Sequence, residues 1–126
     1  MGLSDAPVAA VLPAEDIERA RKFYTETVGL ALRDENKERG ELYFNCGGGT
    51  MLLVYKRKRT TAEHTAAAFK VDNIEQVVED LRGKGLKFED YDFPGLKTVD
   101  GIATMVNEKA AWFTDPEGNI VGIFQM

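Results

Sequence analysis

The stretch beginning at Asn73 reads NIEQVVEDLRGKG and sets Ile74, Val77, Val78 and Leu81 at i, i+3, i+4 and i+7. Apolar residues at that spacing share one face of an α-helix. Asn73 stands where an N-cap belongs, and Gly83 and Gly85 fall near the C-terminal end. An earlier segment opened by Asp16 repeats the pattern, with Ile17, Ala20, Phe23, Tyr24 and Val28 on an apolar face and Gly29 as the stop. A short apolar run precedes each helix, Val8 to Leu12 and Thr65 to Val71, and alternating or β-branched segments punctuated by glycine follow each. These runs predict strands.

The sequence of strand, helix and further strands therefore occurs twice, and the two halves match. Asp16-Ile17-Glu18 falls on Asn73-Ile74-Glu75 at an offset of 57 residues, which also carries Ala9-Ala10 onto Ala66-Ala67. Tyr43-Phe44 falls on Trp112-Phe113 at an offset of 69, which carries Gly49 onto Gly118 and Met51 to Tyr55 onto Ile120 to Phe124. An internal repeat predicts one structural unit used twice. The units should run from about residue 7 to 59 and from about 64 to 126, inside a single domain of residues 1–126. The larger offset leaves about twelve extra residues in the second half, within Asp90 to Glu108. A loop of that length is expected to act as a lid or binding loop.

Composition narrows the partners. With 44% apolar and 29% charged residues the chain has the make-up of an ordinary globular protein, and it carries no apolar run of transmembrane length. Twenty-one acidic against sixteen basic side chains, a net charge of −5, argue against nucleic acid and anionic membranes and tilt towards neutral or cationic ligands. Cys46 is the only cysteine, so an internal disulfide is excluded. Residues 1–10 lack the basic and apolar regions of a signal peptide, and the expectation is a cytoplasmic protein.

Three segments carry a family resemblance: Asp16-Ile17-Glu18-Arg19-Ala20-Arg21-Lys22-Phe23-Tyr24, then Val28-Gly29-Leu30, then Phe113-Thr114-Asp115-Pro116-Glu117-Gly118-Asn119. Together they resemble the vicinal oxygen chelate superfamily of glyoxalases, bleomycin resistance proteins and extradiol dioxygenases, with Val28 standing where leucine is usual. The resemblance implies an α+β fold in which two βαβββ modules form a cupped mixed β-sheet around one site, commonly in a homodimer. It does not fix the activity. Members include metal-dependent lyases, isomerases and ring-cleaving dioxygenases, and also metal-free proteins that sequester antibiotics. Asp115-Pro116-Glu117-Gly118-Asn119 is physically a tight turn, with proline presetting φ and glycine supplying φ > 0.

In metal-dependent members the ligands are His, Glu or Gln on the first and last strands of each unit. The resemblance places those positions at Ala9, Leu53, Ala66 and Gly122, none of which offers a donor. The expectation is no metal and no cofactor. His64, the single histidine, lies two residues before Ala66 and would share its strand face if the strand extends that far. It is either an acid/base or hydrogen-bonding group at the cavity rim or a solvated linker residue.

Small side chains at the metal positions would leave room for a ligand. Alternation, together with the pattern of the relatives, turns Trp112 and its repeat mate Tyr43 inward, joined by Tyr55 and Phe124 two residues beyond Leu53 and Gly122. An apolar, aromatic pocket with few polar groups, beneath the insertion that contains Phe93, suits a flat or hydrophobic small molecule. The same alternation also fits plain core packing. Phe44 and Phe113, on the opposite face, are expected in the core against the helices. Lys56-Arg57-Lys58-Arg59 reads as a solvated linker, Gly47-Gly48-Gly49 as a hairpin turn, and Cys46 has no histidine near it in sequence to make it a nucleophile. Asp90, Asp92 and Asp100 could attract a cationic ligand or simply be hydrated.

Two functions stay open. One is a metal-free small-molecule-binding protein that confers resistance by sequestration. The other is a glyoxalase-like lyase or isomerase that works without a metal, with His64 or Glu41 as acid/base.

Overall fold

The structure, a computed structural model, describes residues 2–126, and the chain divides into two units, Met1–Thr60 and Thr61–Met126. In the first unit β1 (Ala9–Ala14) leads into α1 (Ile17–Lys22), and β2 (Ala31–Asn36), β3 (Glu41–Asn45) and β4 (Met51–Lys56) follow. The sheet order is β1-β4-β3-β2, with β1 parallel to β4 and the other pairs antiparallel. The Asp16 carboxylate accepts the Arg19 N–H at 3.0 Å and caps α1. Alternating residues Leu42, Phe44, Leu52 and Val54, with Leu12 of β1, are buried on the face that meets α1.

The apolar pattern predicts one α-helix as far as Val28, but the segment widens into a π-helical turn over Phe23–Thr27. Val28 N–H donates to the Phe23 carbonyl at 3.0 Å and Leu30 N–H to the Tyr24 carbonyl at 2.8 Å. The Thr25 hydroxyl donates to the Arg21 carbonyl at 2.7 Å, competing for the acceptor that the next α-helical bond would use. Tyr24, at the start of this turn, is buried with its ring 5.8 Å from that of Phe44.

In the second unit β5 (Thr65–Lys70) precedes α2 (Ile74–Gly83), which Asn73 caps by accepting the Gln76 N–H at 3.2 Å. Ile74, Val78 and Leu81 are buried on α2, which packs on β9 (Glu108–Thr114) and β10 (Ile120–Gln125) over Phe113, Val121 and Ile123. The insertion is not a loop. It builds β6 (Asp92–Phe93), β7 (Leu96–Val99) and β8 (Ile102–Met105), giving the order β5-β10-β9-β8-β7-β6. Length alone suggested a lid, but two features pin this segment as sheet. Asp100 and Gly101 both take positive φ, 54° and 81°, the conformation of a tight hairpin turn. Arg82 of α2 then donates to the Asp100 carbonyl at 2.6 Å while its guanidinium lies 5.6 Å from the Phe88 ring centre.

The last hairpin is tied by Asp115. Its carboxylate accepts the N–H groups of Glu117 at 2.9 Å and Asn119 at 2.8 Å and the Asn119 side-chain amide at 2.9 Å. Among the described residues no helix is long and apolar enough to cross a membrane.

Candidate functional site

Each sheet has one face turned to its helix and one open face, and strand alternation assigns the side chains between them. In the first unit the helix side takes Leu42, Phe44, Leu52 and Val54, so the open face takes Tyr43 and Glu41 from β3 and Met51, Leu53 and Tyr55 from β4. Tyr43 stands directly opposite Leu53, and β1 adds Ala9 beside Met51 and Val11 beside Leu53. A bulge between Leu32 and Asp34 resets β2. Glu35 thereby reaches the helix side, where Arg21 holds it at 2.6 Å, while the Arg33 guanidinium extends over the open face to within 3.4 Å of the Met51 sulfur.

This face is more polar than the sequence suggests. Arg33, Asn36, Arg39, Tyr43 and Met51 line a cleft of about 410 Å³. The Tyr43 hydroxyl donates to Glu41 at 2.8 Å, and Arg39 pairs with the same carboxylate at 3.3 Å. That hydrogen bond, with burial and the nearby negative charge, pushes the Tyr43 phenol above its ordinary pKa. Tyr43 is thus a neutral donor near pH 7, and Glu41 is already occupied twice.

In the second unit the open face carries Trp112 of β9 directly opposite Gly122 of β10, with Phe124 on the same side one pair further along. Tyr91 sets its ring 5.5 Å from Trp112 in an edge-on arrangement and 5.5 Å from Phe93, which is 52% exposed. The three rings form one aromatic ridge. The Trp112 carbonyl accepts the Glu89 N–H at 2.8 Å, and the Tyr91 carbonyl accepts the Thr98 N–H at 2.8 Å, so both sides of the ridge are fixed by backbone bonds. Tyr91 itself is not among the sequence-predicted residues. Its signal was present, since Tyr91-Asp92-Phe93 alternates and puts both aromatics on one side.

Ala66 falls at a register shift. Ile120 pairs with Thr65 and Val121 with Ala67, so Ala66 is skipped and the methyl of Thr65 approaches Gly122 instead. β5 begins at Thr65, which leaves the exposed His64 outside the strand. Neither Glu41, engaged by Tyr43 and Arg39, nor His64, in solvent, is arranged as a free base within its unit. Burial pushes the Cys46 thiol up, which keeps it protonated and a poor nucleophile. The segment 57–63 is without regular structure, as the linker reading expects of Arg57-Lys58-Arg59, whereas Lys56 is the last residue of β4.

The positions at which the family resemblance leads one to expect metal donors are Ala9, Leu53, Ala66 and Gly122. Among the described residues no group of three His, Cys, Asp or Glu side chains is placed to hold a metal ion.

Comparison with known proteins bears on the fold and the family. No curated protein matches the sequence. Among solved structures, a glyoxalase-family protein from Bacillus anthracis superposes with a TM-score of 0.77 at 21% identity, covering 96% of this chain and 94% of that one. A lactoylglutathione lyase from Agrobacterium tumefaciens gives 0.72 at 20% identity, covering 96% and 93%. An antibiotic-binding protein from Streptomyces sp. CB03234 gives 0.70 at 24% identity, covering 99% and 98%. At these identities the likeness is one of fold. The model of the Glyoxalase/Bleomycin resistance protein/Dioxygenase superfamily matches residues 7–123, nearly the whole chain, and the protein belongs to that superfamily.

Proposed function

We propose that this protein binds a hydrophobic or aromatic small molecule without a metal ion, and that it serves by sequestering that molecule. The observation that carries the reading is the cross-strand pair of Trp112 and Gly122, an aromatic ring beside a residue without a side chain, extended by Tyr91 and Phe93 into a ridge on the open face. The first unit offers the matching pair, Tyr43 and Leu53. Aromatic surface of this kind supplies affinity through burial and stacking rather than through coordination. Without imidazole or carboxylate at positions 9, 53, 66 and 122, the family's metal chemistry has no ligand set in this chain. The similarity to an antibiotic-binding protein is compatible with sequestration, but it is a likeness of fold and the reading does not rest on it. A homodimer is part of the proposal on the family resemblance alone, and a cytoplasmic location on Cys46 being the single cysteine.

Elemental analysis of the purified protein tests the metal, and fluorescence of Trp112, the one tryptophan, tests the ligand. The expected result is no stoichiometric zinc, nickel, manganese or iron and saturable quenching by flat aromatic compounds. One equivalent of any of these metals, retained through dialysis, overturns the proposal.

A further inference from the structure

Gly122 is a glycine in the middle of β10 for which the backbone gives no reason. Its φ is not among the positive values that favour glycine, and it lies inside a paired strand, where glycine weakens the sheet. What surrounds it is specific. A Cβ placed there would lie 3.4 Å from Cδ1 and Nε1 of Trp112 and 3.4 Å from Cγ2 of Thr65. The five-membered edge of the indole therefore lies beside Gly122 at a distance that a methyl there would just touch, while Tyr91 meets the indole edge-on at 5.5 Å. Gly122 leaves the indole a place that a side chain larger than a methyl would take.

The consequence falls on the indole N–H. It is a donor only, and in a half-buried tryptophan it normally finds a partner. Here it has none among the described residues, and since none of their unpartnered side-chain nitrogens or oxygens is buried, it keeps access to solvent. We infer that Trp112 Nε1–H is the polar anchor of the ligand site and that Gly122 is the positioning residue that aims it. The ligand class follows: a flat conjugated molecule that carries a hydrogen-bond acceptor, such as a ring carbonyl, on the edge that meets Trp112. This deepens the small-molecule reading and rests on it.

The test uses two probes of the same shape, 9-fluorenone and fluorene, which differ in one carbonyl acceptor. Their dissociation constants are measured by calorimetry for the wild type, Trp112→Phe, Gly122→Ala and Gly122→Val. Relative to Trp112→Phe, which keeps a ring and loses the N–H, the wild type is expected to favour fluorenone over fluorene by about 5-fold, as one net neutral hydrogen bond gives. Gly122→Ala fits at contact distance and should keep that preference. Gly122→Val must displace the indole, so the near-UV circular dichroism of the lone tryptophan changes and the preference disappears while the melting curve shows a folded protein. If both probes bind and Trp112→Phe keeps the full preference, the inference is wrong and the small-molecule reading stands. If neither probe binds the wild type, the reading fails and takes the inference with it.

Discussion

Replacing Asp115 should be the most damaging polar substitution in the second unit. The residue is 5% exposed, and among the bonds its carboxylate accepts are those from the Glu117 N–H at 2.9 Å, the Asn119 N–H at 2.8 Å and the Asn119 amide at 2.9 Å. Asp115→Ala strands three donors in a buried turn. Each stranded donor costs roughly 1–3 kcal/mol, reduced where water enters the space left by the carboxylate, so the expected loss is about 3–5 kcal/mol. Asp115→Asn keeps an oxygen for the two backbone N–H groups but turns an NH₂ towards Asn119, and its loss should be smaller, about 1–2 kcal/mol. Urea denaturation followed by Trp112 fluorescence reports the hairpin directly, because the tryptophan lies three residues before Asp115 on the strand that enters the turn. A change in unfolding free energy below about 1 kcal/mol for Asp115→Ala would mean that the turn is set by Pro116 and Gly118 alone, and would refute the argument from buried donors.

Two further substitutions probe the first unit and one probes α2. Arg21 lowers the Glu35 pKa below the ordinary carboxylate value of 4.5, so the pair stabilises the fold above that pH and its contribution is lost as pH falls through the depressed folded-state value. Glu35→Gln should lower the melting temperature at neutral pH, and the gap to wild type should close in acid; a gap that stays constant with pH would show that the charge is irrelevant. Gly40→Ala should cost about 2 kcal/mol, because φ is +68° there and a Cβ would come within 2.7 Å of the Lys56 Cβ. Gly83→Ala, at the end of α2 with nothing within 4 Å, should instead gain about 0.5 kcal/mol. Thermal unfolding of the two glycine variants side by side separates strain from entropy, and equal shifts would contradict the assignment.

Much of the fold was legible because it rests on periodicity. Asp16 and Asn73 cap the helices that the apolar spacing predicts, and the repeat offset of 69 appears in three dimensions as two equivalent cross-strand pairs, Tyr43 with Leu53 and Trp112 with Gly122. What the periodicity could not show are single-residue departures from it. The π-helical turn after Lys22 depends on one threonine hydroxyl, the bulge in β2 decides that Glu35 rather than Asp34 meets Arg21, and the register shift beside Ile120 brings Thr65 instead of Ala66 to Gly122. Each changes which side chains share a face without changing the apolar pattern. The β6–β8 strands were hidden for another reason. They are only two to four residues long, below the length at which alternation can be distinguished from a loop.

The repeat also shows how one cross-strand pair has been put to two uses. In the first unit Leu53 keeps a full side chain opposite Tyr43, and the Tyr43 hydroxyl is satisfied inside the protein by Glu41 at 2.8 Å. In the second unit the residue equivalent to Leu53 is Gly122, the five-membered edge of the ring lies beside it, and the indole N–H is satisfied by nothing among the described residues. A polar group closed by its own sheet contributes to stability, whereas one left open at contact distance from an aromatic ridge contributes only when a ligand arrives. The two halves, so alike in their strands and helices, therefore differ at this pair: the first holds its aromatic by an internal hydrogen bond, and in the second, on the function proposed above, the small residue at position 122 leaves the aromatic available to a ligand.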